Sequence, residues 1–196
     1  MSPILASATP DPVTAPYAAP TESNRTGLSP LWALGVVGIV LGASAVVGRR
    51  NAPDPSHPRT RRWYRQLDKP DFTPPDAIFG AVWPVLETGL AVGGYRLLRQ
   101  PAGGARNLAA GLWLLNTAMV GGWTQLFFSE KRLGASAAAS AAMIVSGGAY
   151  VAAASRADRV AAGLAVPFTA WVGFATLLAT RIWGDNPERT GQTAKA

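Results

Sequence analysis

Five long stretches with almost no charged residues dominate the pattern of hydrophobic and polar positions along the chain. Four contain no Lys, Arg, Asp or Glu; they are residues 26–48, 107–129, 133–155 and 160–180. The fifth, residues 77–95, is interrupted only by Glu87. Roughly 20 apolar residues at 1.5 Å rise cross a bilayer core about 30 Å thick, so each stretch is long enough to span a membrane. Backbone groups that face lipid must be bonded within their own segment, so the pattern predicts an all-α membrane protein, a bundle of five transmembrane helices.

Charged and helix-breaking residues bound the five predicted helices. The helices cover about residues 28–47, 76–98, 106–129, 133–155 and 159–183. The connection 49–75 contains six Pro residues, and we expect them to exclude a regular helix from it. Pro75 and Asp76 suit the first turn of the second helix, where a missing N–H is harmless and an acid faces the positive end of the helix dipole. The later connections are only a few residues long, so neighbouring helices should be antiparallel.

The two ends of the chain are polar and show no periodicity. Residues 1–27 are rich in Pro, Ser, Thr and Ala, and residues 187–196 are similar. Both are predicted to be flexible tails that flank a membrane domain over residues 28–186. The start does not resemble a signal peptide, because residues 1–24 have no Lys or Arg and the apolar run begins only near Leu28.

The formal net charge of +7 is concentrated at the helix ends. The connection 49–75 carries seven Lys and Arg, and its side of the bundle totals 12 against 6 on the other. The positive-inside bias therefore predicts a cytoplasmic C-terminus and an external N-terminus. This distribution indicates a lipid bilayer as partner and no nucleic acid. The chain has no Cys, which excludes disulfides and Cys-based metal sites, and the composition fits a bacterial inner membrane.

Aromatic and polar residues recur on one face of three predicted helices, at about 100° per residue. The stripes are Phe79, Trp83 and Glu87 on the second helix; Asn116, Val120, Trp123 and Phe127 on the third; and Phe168, Trp171, Ala175 and Ala179 on the fifth. Three such faces can meet around a pocket whose rings stack on a flat ligand. Ordinary helix packing produces the same periodicity and stays open as the alternative.

Glu87 is the one charged residue within the five apolar stretches. A carboxylate near the bilayer centre costs about 2.5 kcal/mol or more, so we expect it inside the bundle beside Asn116 or Arg96, or protonated. Four aromatic residues near helix ends are interpreted as interfacial anchors; they are Trp32, Trp63, Tyr64 and Trp183. His57 is expected to be a solvated loop residue. No nucleophile–base pair, phosphate loop or metal cluster is evident, so no catalytic residue, metal or obligatory cofactor is predicted.

Three ordered blocks of residues, covering about 27–187, carry a resemblance. The first contains Trp63-Tyr64, Leu67, Lys69-Pro70, Pro74-Pro75, Phe79 and Val82-Trp83; the second Trp123, Phe127-Phe128 and Arg132; the third Pro167, Phe168, Trp171, Phe174-Ala175 and Asn186. Together they resemble the W-Y…L-x-K-P…P-P…F…V-W, W…F-F…R and P-Y…W…F-A…N patterns of the TspO/MBR family of tryptophan-rich sensory and translocator proteins.

The resemblance implies a five-helix bundle, often a homodimer, with a pocket closed over by the first loop. Its ligands would be tetrapyrroles such as protoporphyrin IX or haem, with pocket tryptophans at Trp83, Trp123 and Trp171 and a loop aromatic at Phe72. The family's polar lining is altered here: its helix 3 amides fall on Asn116 and Val120, its helix 5 Asn on Ala179 and a Tyr on Glu87. Four basic loop residues are expected to meet the ligand's propionates; they are Arg61, Arg62, Arg65 and Lys69.

The favoured function is a membrane receptor or carrier for tetrapyrroles with a regulatory or stress-response role. It is favoured because no acid–base pair is evident and the aromatic stripes converge. One alternative is an enzyme that degrades porphyrin in the light. Another is a non-catalytic membrane scaffold, with faces such as Gly89-x3-Gly93 used for association, or a sterol- or lipid-binding protein.

Overall fold

A computed structural model of the chain describes residues 26–190, which are entirely helical apart from short connections. The helices are α1 (Pro30–Asn51), α2 (Pro58–Arg65), α3 (Asp76–Arg99), α4 (Gly104–Thr124), α5 (Leu133–Ala154) and α6 (Arg159–Asp185). A π-helical turn, Gln125–Ser129, continues α4, and a 3-10 turn, Pro187–Arg189, follows α6. Most of both predicted tails, residues 1–25 and 191–196, falls outside the described residues.

The bundle has the surface of a membrane protein. Within residues 26–190, four helices are long and apolar enough to cross a membrane: α1, α3, α5 and α6. The fifth long helix, α4 (21 residues), packs chiefly against α1 and α5. Large apolar side chains point outward, among them Leu31, Ile39, Val85 and Val145 at 69–81% exposure. The predicted all-α membrane bundle is confirmed.

Successive long helices are antiparallel, which gives the bundle two distinct ends. The short-link end carries the connections 100–103 and 155–158, and there the Leu28 N–H donates to the Leu98 carbonyl at 2.8 Å. The loop end carries residues 52–75, the link 130–132 and the C-terminal end of α6.

The connection at the loop end is more ordered than its prolines predict. α1 continues to Asn51, and α2 occupies residues 58–65. The expectation of no regular helix was wrong, because Pro58 is the first residue of α2, where its missing N–H would have no partner in any case. The next proline is Pro70, which leaves enough proline-free chain for two helical turns.

Glycines allow α3 to approach its neighbours closely. A Cβ on Gly94 would lie 2.3 Å from a ring carbon of Trp113, whose indole N–H donates to the Leu90 carbonyl at 2.9 Å. On the adjoining face, Gly89 and Gly93 lie against Leu164 and Ala161 of α6. The face suggested for association with other helices is therefore used for packing inside the chain.

A buried carboxylate ties the short-link end together. Asp158 caps the N-terminus of α6 by accepting from the Ala161 N–H at 2.9 Å, and its other partners are Gln100 at 3.0 Å and Arg96 at 2.9 Å. Burial of Asp158 opposes its ionisation, but the hydrogen bonds from Arg96, the Ala161 N–H and Gln100 outweigh burial and lower the pKa of the carboxyl.

Candidate functional site

Aromatic rings from α3, α6 and the loop meet at the loop end of the bundle. The Phe79 and Trp171 ring centroids are 5.8 Å apart, Trp171 and Phe174 are 5.3 Å apart, and Phe72 reaches Phe174 from the loop at 6.3 Å. Phe72 is 44% exposed and covers this side of the group from outside. Phe174 follows Trp171 by three residues on the same helical face, a signal present in the sequence that the prediction of site residues did not use.

A second group of rings belongs to the end of α4. Trp123 stacks on Phe127 at 4.8 Å with 17° between the planes, and Phe128 lies edge-on to Phe127 at 4.9 Å. Both phenylalanines lie in the π-helical turn, a feature that often marks functional sites in helices. The Trp123 indole N–H donates to the Ser136 carbonyl at 2.9 Å, which orients the ring against α5.

Helix α2 closes the second group from the loop side. Trp63 is 6% exposed and meets Phe127 edge-on at 5.9 Å, while Tyr64 meets Phe128 at 5.5 Å. The interpretation of Trp63 as an interfacial anchor was wrong, because Trp63 lies on the face of α2 that is buried against the bundle. We name the whole set the aromatic cluster: Trp63, Tyr64, Phe72, Phe79, Trp123, Phe127, Phe128, Trp171 and Phe174.

Two cations lie over rings of the cluster. The Lys131 Nζ is 5.6 Å from the centroid of the Trp63 ring. The Lys69 Nζ lies 4.3 Å from the centroid of the Tyr64 ring, in a cation–π arrangement. Burial lowers the pKa of the Lys69 ammonium, and the charge of Asp76 opposes that effect. Burial, helped by Asp76, raises the pKa of Tyr64 to about 12, so its hydroxyl keeps its proton at neutral pH.

A single amide fastens the loop to the end of α6. Asn186, 3% exposed, accepts a hydrogen bond from the Asp68 N–H at 2.9 Å and donates to the Asp68 carbonyl at 2.8 Å. It also donates to the Ile182 carbonyl of its own helix at 2.8 Å. We call this arrangement the Asn186 clamp. The sequence contained Asn186 as part of a family pattern but did not indicate its partner.

The structure brings only some of the predicted site residues into the cluster. Phe72, Phe79, Trp123, Phe127 and Trp171 belong to it.

The other predicted residues lie deeper in the bundle. Phe168 and Val120 are buried in the central core, and half-buried Trp83 packs against that core one turn beyond Phe79. Asn116 is fully buried; it donates to the Leu112 carbonyl at 2.8 Å and accepts from the Ser146 hydroxyl at 2.9 Å. Its amide therefore joins α4 to α5 and is not directed toward the cluster.

Glu87 lacks both of its expected partners. Asn116 bonds to Ser146, and Arg96 pairs with Asp158 at the short-link end. Within residues 26–190 the half-buried Glu87 has no side-chain hydrogen bond and no ion pair. The sequence could place Glu87 on the stripe of Phe79 and Trp83 but could not tell which helix would lie opposite.

Two surface cavities accompany the described part of the chain, both away from the aromatic cluster. One, of about 360 Å³, lies on the outer face of α2 and is lined by Arg61, Arg62 and Arg65. The other, of about 280 Å³, lies at the short-link end beside Arg106 and Arg156. The expectation that all four basic loop residues face the aromatic site was therefore wrong for the three arginines, and only Lys69 does so.

Comparisons with known proteins agree with this architecture. The TspO/MBR family model matches residues 29–184. The chain is 32% identical to the translocator protein of Bos taurus over 133 residues, which are 65% of this chain and 77% of that protein. It is 30% identical to the human translocator protein over 134 residues, covering 66% and 78%. It is also 29% identical to the tryptophan-rich protein TspO of Bacillus cereus over 129 residues, covering 66% and 84%.

The matched span begins just before α1 and ends at the last turn of α6, so it includes all five long helices, α2 and every residue of the aromatic cluster. The chain is an integral membrane protein that belongs to the TspO/MBR family.

Proposed function

We propose that the chain is a membrane receptor or carrier that binds a flat tetrapyrrole, such as protoporphyrin IX or haem, in the aromatic cluster, with a regulatory or stress-response role. The observation that carries the proposal is the gathering of rings from α2, the loop, α3, α4 and α6 at one end of the bundle. Aromatic faces stack on flat macrocycles, and the aliphatic walls of the bundle exclude water from them.

Polar groups in the cluster support a ligand that accepts hydrogen bonds. The indole N–H groups of Trp171 and Trp63 are buried, and neither has a partner among the described residues. A buried donor without a partner costs about 1–3 kcal/mol, a cost that a bound acceptor would remove. Lys69, which is partly buried and has lost part of its hydration, is placed to meet a propionate.

Binding requires the rings to separate, because Phe79, Trp171 and Phe174 touch one another in this structure. The loop that carries Phe72 covers them and is held by the Asn186 clamp. We therefore propose that the ligand enters when this loop moves away from α6. The name of one group of relatives, translocator protein, supports the carrier part of the proposal.

The test is a titration of the purified protein with protoporphyrin IX in the dark, followed by the shift of the porphyrin's own Soret band. Trp171→Ala should weaken binding at least tenfold, because it removes the apolar area that the indole buries, at about 25 cal/mol per Å², and the further contribution of an aromatic contact, about 0.5–1.5 kcal/mol. The matched control is Trp32→Ala, because Trp32 is 73% exposed at the short-link end. No saturable shift, or equal affinity in Trp171→Ala, refutes the proposal.

The same samples separate binding from light-driven degradation. Under illumination, if the protein is only a receptor, the absorbance of bound porphyrin should decay no faster than that of free porphyrin. The enzymatic alternative requires a faster decay with the wild-type protein than with Trp171→Phe.

We also propose a homodimer as the assembly. α1 offers Gly35, Gly38 and Gly42, where an added Cβ would meet nothing within 4 Å, and small residues let helices approach closely in lipid. Native mass spectrometry in detergent should give twice the chain mass of 20.4 kDa. A monomer at all protein concentrations refutes it.

The proposed orientation has the loop end in the cytoplasm, as the charge distribution predicts. The chain has no Cys, so a single introduced thiol reports its own side of the membrane. In intact cells, a membrane-impermeant maleimide should label Gly103→Cys and not Arg59→Cys. The reverse pattern overturns the orientation.

A further inference from the structure

The cavity on the outer face of α2 is lined almost entirely by cationic and rigid residues. Its walls are Pro55, Pro58, Arg61, Arg62, Arg65 and Gln66, and its volume is about 360 Å³. This volume falls within the range of small-molecule sites, about 300–1,000 Å³.

Helix α2 is strongly two-sided, and this determines where the arginines point. Trp63 and Leu67 are buried against Phe127, Leu133 and α6 on the inner face. Residues 61, 62 and 65 lie on the opposite side at about 100° per residue, and Arg62 and Arg65 are exposed. The cavity and the aromatic cluster are therefore on opposite faces of one short helix.

The three guanidinium groups have no competing partner. Within residues 26–190, none of Arg61, Arg62 and Arg65 donates a side-chain hydrogen bond or pairs with a carboxylate. The two acids that flank them along the chain do not pair with them: Asp54 accepts from the Ser56 N–H, and Asp68 forms no ion pair within the described residues.

The polar groups that flank the cavity leave it free for an acceptor. The side-chain oxygen of Gln66 accepts a hydrogen bond from the Arg189 guanidinium at 3.3 Å. The side-chain NH₂ of Gln66 remains as a further donor at the cavity.

Unpaired guanidinium groups gathered on one cavity suit a phosphate, because each planar fork can donate two parallel hydrogen bonds to its oxygens. The cavity lies at the loop end of the bundle, the end at which α1 carries Arg49 and Arg50 in its last turn. In a membrane this level is occupied by lipid headgroups. We propose that the outer face of α2 is a binding site for the phosphate headgroup of an anionic phospholipid. It is separate from the proposed tetrapyrrole site and does not depend on it.

The experiment titrates the full-length protein in a neutral detergent with phosphatidylglycerol and counts bound lipids by native mass spectrometry. The test variant is Arg62→Gln/Arg65→Gln, and the matched control is Arg156→Gln/Arg159→Gln at the short-link end. All four arginines are exposed, so folding is not at risk. One basic residue near an anionic headgroup contributes about fivefold in affinity, so the test variant should bind the first lipid at least tenfold more weakly, and the control should match wild type.

Further arms fix the source of the phosphate and the independence of the site. Phosphatidylcholine should bind at least tenfold more weakly than phosphatidylglycerol, and inorganic phosphate at the lipid's concentration should not displace it. Displacement by inorganic phosphate, equal loss in the control variant, or unchanged binding in the test variant overturns the proposal. Protoporphyrin IX affinity should be the same in wild type and test variant; a parallel loss would assign the arginines to the porphyrin's propionates and overturn the lipid site.

Discussion

Removing the Asn186 side chain should free the loop that covers the aromatic cluster while leaving the bundle folded. Asn186→Ala deletes both hydrogen bonds to the backbone of Asp68, at 2.9 and 2.8 Å, and the bond to the Ile182 carbonyl. The two bonds to Asp68 join the backbone of the loop to the end of α6.

The size of the effect follows from the burial of the clamp. A neutral intramolecular hydrogen bond contributes about 1 kcal/mol net, so the two bonds to Asp68 hold the loop by about 2 kcal/mol. At 1.4 kcal/mol per tenfold, the population of the released loop should rise about thirtyfold. The helices keep their own contacts, so most of the change should appear in the loop and not in global unfolding.

Hydrogen–deuterium exchange measured by mass spectrometry reports the loop directly. Amides of residues 63–75 should exchange about thirtyfold faster in Asn186→Ala, while those of α5 should not change. The control is Asn107→Ala, which removes an exposed amide at the short-link end bonded to Arg106. Unchanged exchange in the loop, or equal acceleration in both variants, refutes the role assigned to the Asn186 clamp.

Two further predictions concern the packing of the bundle. Gly94→Ala places a Cβ about 2.3 Å from Trp113 and should lower the thermal unfolding temperature. Gly111→Ala should not lower it, because a Cβ at Gly111 meets nothing within 4 Å. Equal unfolding temperatures for the two variants would contradict the close approach of α3 to Trp113. The hydrogen-bonded Asp158 carboxylate has a pKa below its ordinary value of 3.8. Its contribution to the stability of the folded protein is therefore complete above pH 3.8 and is lost as the pH falls through the lower pKa of the folded state. Asp158→Asn should destabilise the protein by about 2 kcal/mol at pH 7, and its stability should fall less steeply than that of the wild type as the pH is lowered. An unchanged fall of stability at low pH would show that Arg96 does not hold an ionised Asp158.

Much of the fold could be predicted because a bilayer imposes length and charge rules on each span separately. Glu87 interrupts one stretch, yet the length of α3 was still recognisable from the apolar residues on both sides of it. Helix α2 could not be predicted in this way. Its stability comes from Trp63 and Leu67, which pack on the end of the bundle against residues that are distant in the chain, such as Phe127 and Leu178.

The candidate site could be predicted only where one helical face carried the whole signal. Phe79 and Trp171 were on stripes that do meet. Phe168 has the same periodicity but is turned into the central core, since periodicity indicates a face and not its neighbour. The prediction that the three arginines of α2 face the aromatic site was wrong for a different reason. Their charge suggested a ligand partner, but the direction of a side chain on a short helix depends on which face of the helix is buried.

The most direct test of the central claim is a hydrogen–deuterium exchange footprint of protoporphyrin IX on the wild-type protein in the dark. Ligand in the aromatic cluster predicts slower exchange in three segments at the loop end, residues 63–79, 123–130 and 171–186, with no change in residues 97–106 or 154–161. Protection confined to those last two segments, or no protection anywhere at saturating porphyrin, would contradict the placement of the tetrapyrrole site beneath the loop.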